Sequence, residues 1–261
     1  MKRILALISA VALLGICSAS AQYKKTVLPA RQIAEFNTNL PVDLTLVDAA
    51  DQRAIVEIPS DVADWIKCEI DGNEISIYPK RGAGNKIKSL SSDNPIKVRI
   101  ESSSIKCINN TGIIRMTCKN RRLNRFELNN SGIITWKDVQ VEFGYLEINN
   151  SGVCNLEANR ITADDIEINN SGRFLCAVNI FCCDCWEHNN SGVNDIKSAV
   201  KANSVECNSS GREDLRLNVT CKELEVNATG IGSMTFSGTA DDIDISSTGL
   251  TRISTSAVNT K

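Results

Sequence analysis

Apolar and polar residues recur in a fixed order about every 20 residues between residues 105 and 255. Most of these units close with a turn of the form Asn-Asn-Ser-Gly or a close variant. The turn glycines follow one another at intervals of 20 and then 19 residues: Gly112, Gly132, Gly152, Gly172, Gly192, Gly211, Gly230 and Gly249. A near-constant period over about eight units predicts a solenoid, in which each unit stacks on the one before it.

Alignment of the units on their glycines separates the residues into columns. Apolar residues stand six and four positions before the glycine, as Phe126 and Leu128 do before Gly132, and an acidic residue stands between them. Further apolar columns lie nine positions before and four positions after the glycine. This alternation is the period-2 pattern of a strand with one buried face. The acidic column consists of Glu127, Glu147, Glu167, Glu187, Glu206, Glu225 and Asp244.

No unit contains a stretch with helical spacing, which excludes leucine-rich and ankyrin-type repeats. The predicted fold is therefore all-β: a parallel β-helix with 19–20 residues per coil, about eight coils and an N-terminal β-strand cap. The preference for right-handed crossovers between parallel strands predicts a right-handed coil. Eight coils at about 4.8 Å each would form a rod about 38 Å long.

The chain divides into three predicted segments. Residues 1–21 have the pattern of a signal peptide, with Lys2 and Arg3 before an apolar run and a small-residue cleavage site at Ala21. A lipoprotein anchor at Cys17 is the competing interpretation, although Ile16 is large for that motif. Residues 22–104 are predicted to form the cap, and residues 105–261 the parallel β-helix. No second apolar run reaches the length of a membrane-spanning helix.

Within the cap, the alternating runs between Phe36 and Lys80 predict antiparallel or meandering strands, with the "DGN" at residues 71–73 as a hairpin turn. At the other end the last coil is expected to be covered by a loop, a neighbour or nothing, since only "STSAVNTK" follows Ile253.

The turns suggest two roles for their residues. Glycine is expected at the corner because the backbone needs a positive φ there. The asparagines, stacked coil on coil, are expected to link their side-chain amides along the rod. The turn columns singled out for these roles are Asn129, Asn149, Asn169 and Asn189, with Gly132, Gly152, Gly172 and Gly192.

Three further motifs accompany the repeats: a "VDLTLV" strand after Phe36, the "DGNEISIYP" hairpin and the "NPIKVRI" strand that leads into the repeats. Together with the Ser-Gly turns, they resemble the putative autotransporter adhesins with a head GIN domain, which are common among exported proteins of Bacteroidetes. The likeness covers about residues 30 to 255. The family usually has Ser-Gly-Ser-Gly turns, where this chain has Asn-Asn-Ser-Gly. The resemblance implies a β-helical envelope protein and supplies no catalytic residues.

Composition narrows the possible partners. The net charge is -2, and it becomes -4 when Lys2 and Arg3 are removed, so a nucleic-acid partner is not expected. Ten cysteines remain beyond Cys17. They are expected to be mostly free, buried thiols, with Cys182 and Cys185 as the best candidates for a local disulfide.

The acidic column is the sharpest chemical feature. In register, its carboxylates would lie about 5 Å apart and repel each other by about 1 kcal/mol per pair in water. One interpretation is relief by solvent and by neighbouring basic residues such as Arg125. The other is a row of bound Ca²⁺ ions, held by carboxylate and asparagine oxygens.

Two other clusters of residues suggest a chemical role. The "CCDCWEH" run at residues 182–188 suggests zinc, but Cys183 and His188 fall in core-facing columns, so four ligands would not converge on one ion. His188 is the single histidine, which disfavours Ser-His or Cys-His catalysis. A lyase-like cluster can be assembled only from four residues: Arg173, Arg212, Asp195 and Asp214.

These observations favour a non-catalytic, exported binding module of the periplasm or cell surface. It would be adhesin-like, use no cofactor, and contact a glycan or a cell-surface protein through its repetitive polar face. A structural solenoid that assembles end to end and a polysaccharide lyase or hydrolase are the two alternatives.

Overall fold

The computed structural model describes residues 23–29, 33–47, 52–101, 104–119 and 122–260. These residues form twenty strands and two short 3₁₀ helices, at Ala63–Trp65 and Gly84–Ile87. None of the helices they form is long and apolar enough to cross a membrane. The predicted signal peptide lies outside the described residues. The strands are β1 (Tyr23–Pro29), β2 (Glu35–Thr38), β3 (Pro41–Val47), β4 (Arg53–Pro59), β5 (Ile66–Asp71), β6 (Glu74–Pro79), β7 (Ile96–Glu101), β8 (Cys107–Asn110), β9 (Ile113–Lys119), β10 (Arg122–Asn130), β11 (Ile133–Asn150), β12 (Val153–Thr162), β13 (Asp165–Asn170), β14 (Arg173–Cys182), β15 (Cys185–Asn190), β16 (Val193–Lys201), β17 (Ser204–Ser209), β18 (Arg212–Ala228), β19 (Ile231–Ser247) and β20 (Leu250–Thr260).

From β8 onward the strands pair in parallel with their equivalents one coil away, which confirms the predicted all-β solenoid. Glu127 pairs with Glu147 and Glu147 with Glu167, an offset of 20 residues. In later coils the offset falls to 19, as between Glu187 and Glu206. Each coil is called a rung below. A rung has one strand face before the Ser-Gly turn and another after it, and most rungs continue into a third strand segment.

The interior is built from stacked columns of apolar side chains. The columns six before, four before and four after each glycine are buried as predicted, apart from their members in the last rung, and the one polar member, His188, is buried as well. The aromatic rings of Phe126, Trp136 and Phe143 pack within 6 Å of each other between centroids. A third segment of the rung adds a column that the repeat pattern did not single out: Val141, Ile161, Phe181, Val200 and Val219.

The N-terminal strands do not follow chain order in space. Strand β2 lies between β6 and β8, and β3 lies between β7 and β9, with all four pairings parallel. Residues 35–47 therefore form a rung that is inserted between two rungs made later in the chain. Strands β1, β4 and β5 pair antiparallel and lie beyond this stack.

The prediction of antiparallel or meandering strands from Phe36 to Lys80 is thus only partly correct. The "DGN" hairpin is present, with Asp71 opposite Glu74 and Gly72 at φ +59°. Strands β2 and β3, however, belong to the parallel stack. Their alternating burial is the same in either arrangement, so the sequence pattern could not distinguish the two.

The prediction that the turn glycines are needed for a positive φ is wrong. None of Gly132, Gly152, Gly172 or Gly192 has a positive φ. Instead, a Cβ atom at any of them would lie 2.1 Å from the carbonyl oxygen of the equivalent glycine one rung earlier. Glycine is required because two backbones approach too closely for a side chain. The turn asparagines also lack a positive φ.

The C-terminal rung is the less covered end of the rod. Within the described part of the chain, β20 pairs with β19 alone. Ile245, in a column that is buried in earlier rungs, is 38% exposed, and Leu250 is 81% exposed. Ile253 and Val258 are partly buried. Ile245 is exposed because, among the described residues, no further rung lies over it, whereas Leu250 belongs to an outward column.

The close contact at the turns predicts that Gly172→Ala destabilises the fold by about 3 kcal/mol, because the new methyl group meets backbone that cannot rotate away. Urea denaturation followed by circular dichroism measures this loss. Gly82→Asn is the control, since Gly82 has a positive φ and open space around it. Equal stability of the two variants would contradict the close-contact explanation.

Candidate binding faces

The outer asparagines form a continuous ladder along the face before the turn. Asn149 donates one amide hydrogen to Glu147 Oε1 of its own rung at 2.8 Å, and the other to Asn129 Oδ1 of the preceding rung at 3.0 Å. The same pair of bonds is made by Asn129, Asn169, Asn189, Asn208 and Asn227. Both hydrogens of each amide are therefore used within the protein.

This ladder explains how the acidic column is tolerated. The carboxylates from Glu127 to Glu225 and Asp244 are in register, and each of the six glutamates accepts an amide hydrogen at 2.6–2.8 Å. Arg125 forms an ion pair with one of these carboxylates, its guanidinium lying 3.1 Å from Glu147 Oε2, and its charge also lowers the pKa of Glu167. Asparagine donors therefore serve all six glutamates, whereas the ion pair with Arg125 serves Glu147.

Tyr145 adds a second donor at the centre of the column. Its hydroxyl donates to Glu167 Oε2 at 2.5 Å, and the Arg125 guanidinium lies 4.4 Å from its ring centroid. The hydrogen bonds from Tyr145 and Asn169 lower the pKa of Glu167. Burial and the neighbouring Glu167 carboxylate raise the pKa of Tyr145. The Glu167 carboxylate is therefore held in its charged form on the face of the rod.

A second, buried asparagine ladder runs beside the first. Asn110, Asn130, Asn150 and Asn170 each donate to the amide oxygen of the next rung's asparagine at 2.7–3.0 Å. Each also donates to a backbone carbonyl beyond the next turn, such as Val153 O for Asn130. The ladder satisfies backbone groups at the corner and links successive turns.

A groove of about 690 Å³ runs along the corner over six rungs. The buried asparagines form its floor, the outer asparagines form one wall and the turn hydroxyls form the other. We call it the asparagine groove. Its hydroxyl wall consists of Ser131, Ser151, Ser171, Ser191, Ser210 and Thr229.

The inner ladder ends in a polar cluster inside the core. In the rung after Asn190 the equivalent residue is Ser209, and Asn190 donates both to Ser209 Oγ at 3.4 Å and to Glu213 Oε2 at 2.7 Å. Ser209 donates to the same oxygen at 3.0 Å. His188 Nε2 lies 3.6 Å from Glu213 Oε1, and Asn194 bridges the two side chains. The side chains of His188 and Glu213 are both fully buried.

Sequence patterns did not reveal Asn194 and Glu213 as buried residues. The signal was present, because they stand two positions after their glycines, in a column that the earlier rungs fill with buried Ile114, Ile134, Cys154 and Phe174. Their polarity makes them look like surface residues when each rung is considered alone.

The cysteine-rich run lies where its columns predict. His188 is in the core, and Cys182, Cys183 and Cys185 are partly buried. Cys182 and Cys185, the candidates for a local disulfide, are both free thiols and are therefore not bridged. Burial raises the pKa of Cys183 to about 12. Among the described residues, no three His, Cys, Asp or Glu side chains are grouped closely enough to hold a metal ion, the acidic column included.

The charged residues on the face after the turn are mostly basic. Arg173 and Arg212 lie in one column, two rungs apart, and Asp195 pairs in register with Asp214 beside them. Asp214 is bound by Arg216 at 3.0 Å. The four residues proposed as a lyase-like cluster thus share one open strand face. The basic face has seven basic and three acidic side chains in its outward columns: Arg115, Lys137, Arg173, Lys197, Arg212, Arg216 and Arg252, with Glu157, Asp195 and Asp214.

A known protein family matches most of the chain. The profile described as "Putative auto-transporter adhesin, head GIN domain" matches residues 35–176 and 187–261. The chain belongs to this family. The match includes the interleaved rung at residues 35–47 as well as the repeats. No curated protein matches the chain.

Solved structures with the same fold carry related descriptions. A putative adhesin from Parabacteroides merdae has 15% identity and a TM-score of 0.67, covering 89% of this chain and 95% of its own. A putative adhesin from Bacteroides fragilis has 15% identity and a TM-score of 0.56, and the match covers 90% of this chain and 97% of the solved chain. A putative lipid binding protein from Parabacteroides distasonis has 22% identity and a TM-score of 0.56, and the match covers 89% of this chain and 96% of the solved chain. At these identities the likeness shows the fold alone, and none of the three is described as an enzyme.

The Tyr145 contact predicts that Tyr145→Phe raises the pKa of Glu167, because the variant loses the strongest donor to this carboxylate. NMR titration of the Glu167 carboxyl carbon measures the change. A lowered pKa in the folded state stabilises the protein above the pKa of the unfolded chain. Any stability advantage of the wild type over Tyr145→Phe should therefore disappear as the pH falls through the folded-state pKa. An unchanged Glu167 titration would show that the hydroxyl does not bind it.

Proposed function

We propose that the protein is an exported, non-catalytic binding module of the cell envelope, adhesin-like in role, which holds an extended glycan in the asparagine groove. The family description and the export signal of the sequence support a place in the periplasm or on the cell surface. The observation that carries the proposal is the groove itself, which repeats the same polar groups over six rungs. A repeated groove suits a repeated polymer, since each rung adds a weak contact of the same kind.

The hydrogen bonding within the groove favours a ligand rich in donors. Both amide hydrogens of the outer asparagines from Asn129 to Asn227 are already used, and what they still offer is the second lone pair of each amide oxygen. The neighbouring glutamates also only accept. Sugar hydroxyl groups can donate to such a surface, whereas an anionic polymer would be repelled by the acidic column.

Replacement of one groove residue tests this proposal. Ser171→Trp fills the middle of the groove and should weaken glycan binding at least tenfold, while Thr235→Trp on the basic face should not change it. The chain from Gln22 is first tested on an array of neutral and amino-sugar glycans, and the glycans it binds are then titrated by calorimetry. Absence of binding to every glycan, or equal binding by Ser171→Trp, would refute the proposal.

A structural role is the second candidate, and the exposed C-terminal rung favours it. Strand β20 bears Arg252 as its one charged residue and no proline, so it lacks the features that usually block edge pairing. In this case copies would join end to end through β20. Sedimentation velocity should then show a mass that rises with concentration in the absence of glycan, and Val258→Lys should reduce this rise. A constant monomer mass up to high concentration would exclude this role.

A further inference from the structure

A stripe of alternating aliphatic and arginine residues runs along the basic face. The residue directly after each turn glycine is in register with its equivalents, in the order Val153, Arg173, Val193, Arg212 and Ile231. Both arginines are exposed, Val193 is 45% exposed and Ile231 is 60% exposed. The turn ridge separates this stripe from the asparagine groove.

The two arginines differ from most others on the rod. Arg115 binds Asp43, Arg125 binds Glu147 and Arg216 binds Asp214 through side-chain ion pairs. Within the residues that the structure describes, the guanidinium groups of Arg173 and Arg212 make no ion pair and no hydrogen bond. Their planar, bidentate donors are therefore free for a ligand.

The spacing of the two guanidinium groups is set by the fold. They stand two rungs apart, which is about 9.6 Å along the rod, with Val193 between them. The sugars of an extended β-linked glycan repeat at nearly the spacing of the rungs. A glycan with an acid on every second sugar therefore presents its acids at about the distance between the two arginines, with the aliphatic face of the intervening sugar over Val193.

We propose that this stripe is a second binding site, for an extended anionic polysaccharide that carries an acid group on every second sugar. Arg173 and Arg212 bind two successive acid groups, and Val153, Val193 and Ile231 pack against the sugar rings. The site is independent of the asparagine groove, whose acidic column repels the same polymer. The rod would thus hold two chemically different glycans on adjacent faces.

Binding of defined oligosaccharides tests the site. Hyaluronan oligosaccharides have one carboxylate per disaccharide and should bind, whereas neutral chitin oligosaccharides should bind at least tenfold more weakly to this face. Arg173→Gln combined with Arg212→Gln should weaken hyaluronan binding at least tenfold. Arg160→Gln combined with Lys222→Gln removes the same charge elsewhere on the rod and should change it less than threefold.

A variant that conserves charge tests the spacing. Val193→Arg combined with Arg212→Val places the two arginines on adjacent rungs instead of alternate ones. It should lose hyaluronan binding at least fivefold and retain binding of polygalacturonate, which carries an acid on every sugar. Circular dichroism and the urea midpoint establish that each variant is folded. Absence of hyaluronan binding by the wild type, or equal hyaluronan binding by the spacing variant, would overturn the proposal.

Discussion

Parallel stacking in register is the constraint on which the rest of the structure depends. Each residue has its own equivalent as its neighbour above and below, so any feature of one rung is imposed on the whole rod. Apolar residues then form continuous buried columns, and two turn glycines meet at a distance that excludes a Cβ atom. The same stacking brings like charges together. The groups that form hydrogen bonds to these charges must therefore also repeat from rung to rung.

Asparagine meets this requirement because its amide both donates and accepts. In the outer ladder one hydrogen binds the carboxylate of the same rung and the other binds the amide of the preceding rung. A basic residue in that place would neutralise the carboxylate but could not continue the ladder, since its side chain only donates. The surface that results has acceptors and negative charge before the turn, and free guanidinium groups after it. The two faces of one corner are therefore chemically distinct although a single turn joins them.

Much of this organisation could be predicted from the sequence, because the period itself assigns residues to columns. The burial of Phe126, Ile166 and Leu215 and the stacking of the asparagines follow from the repeat. The reason for the glycines could not be predicted, since it lies in the approach of two backbones and not in the conformation of one. Glu213 and Asn194 were missed because a buried polar residue is recognised only by its partners in neighbouring rungs. Likewise, alternation in β2 and β3 indicates a buried face but not the strands that lie beside it.

The position of β2 and β3 between rungs from later in the chain affects the order in which the protein can fold. These strands are synthesised before either of their neighbours, so the N-terminal rungs cannot be laid down one after another as the chain emerges. The segment has both of its neighbours only after residue 119 has left the ribosome, and its closure joins residues that are distant along the chain. The later rungs have no such requirement, because in repeat proteins folding can start at any repeat and spread to its neighbours. The base therefore depends on contacts between distant parts of the chain, whereas each later rung contacts only its neighbours in the sequence.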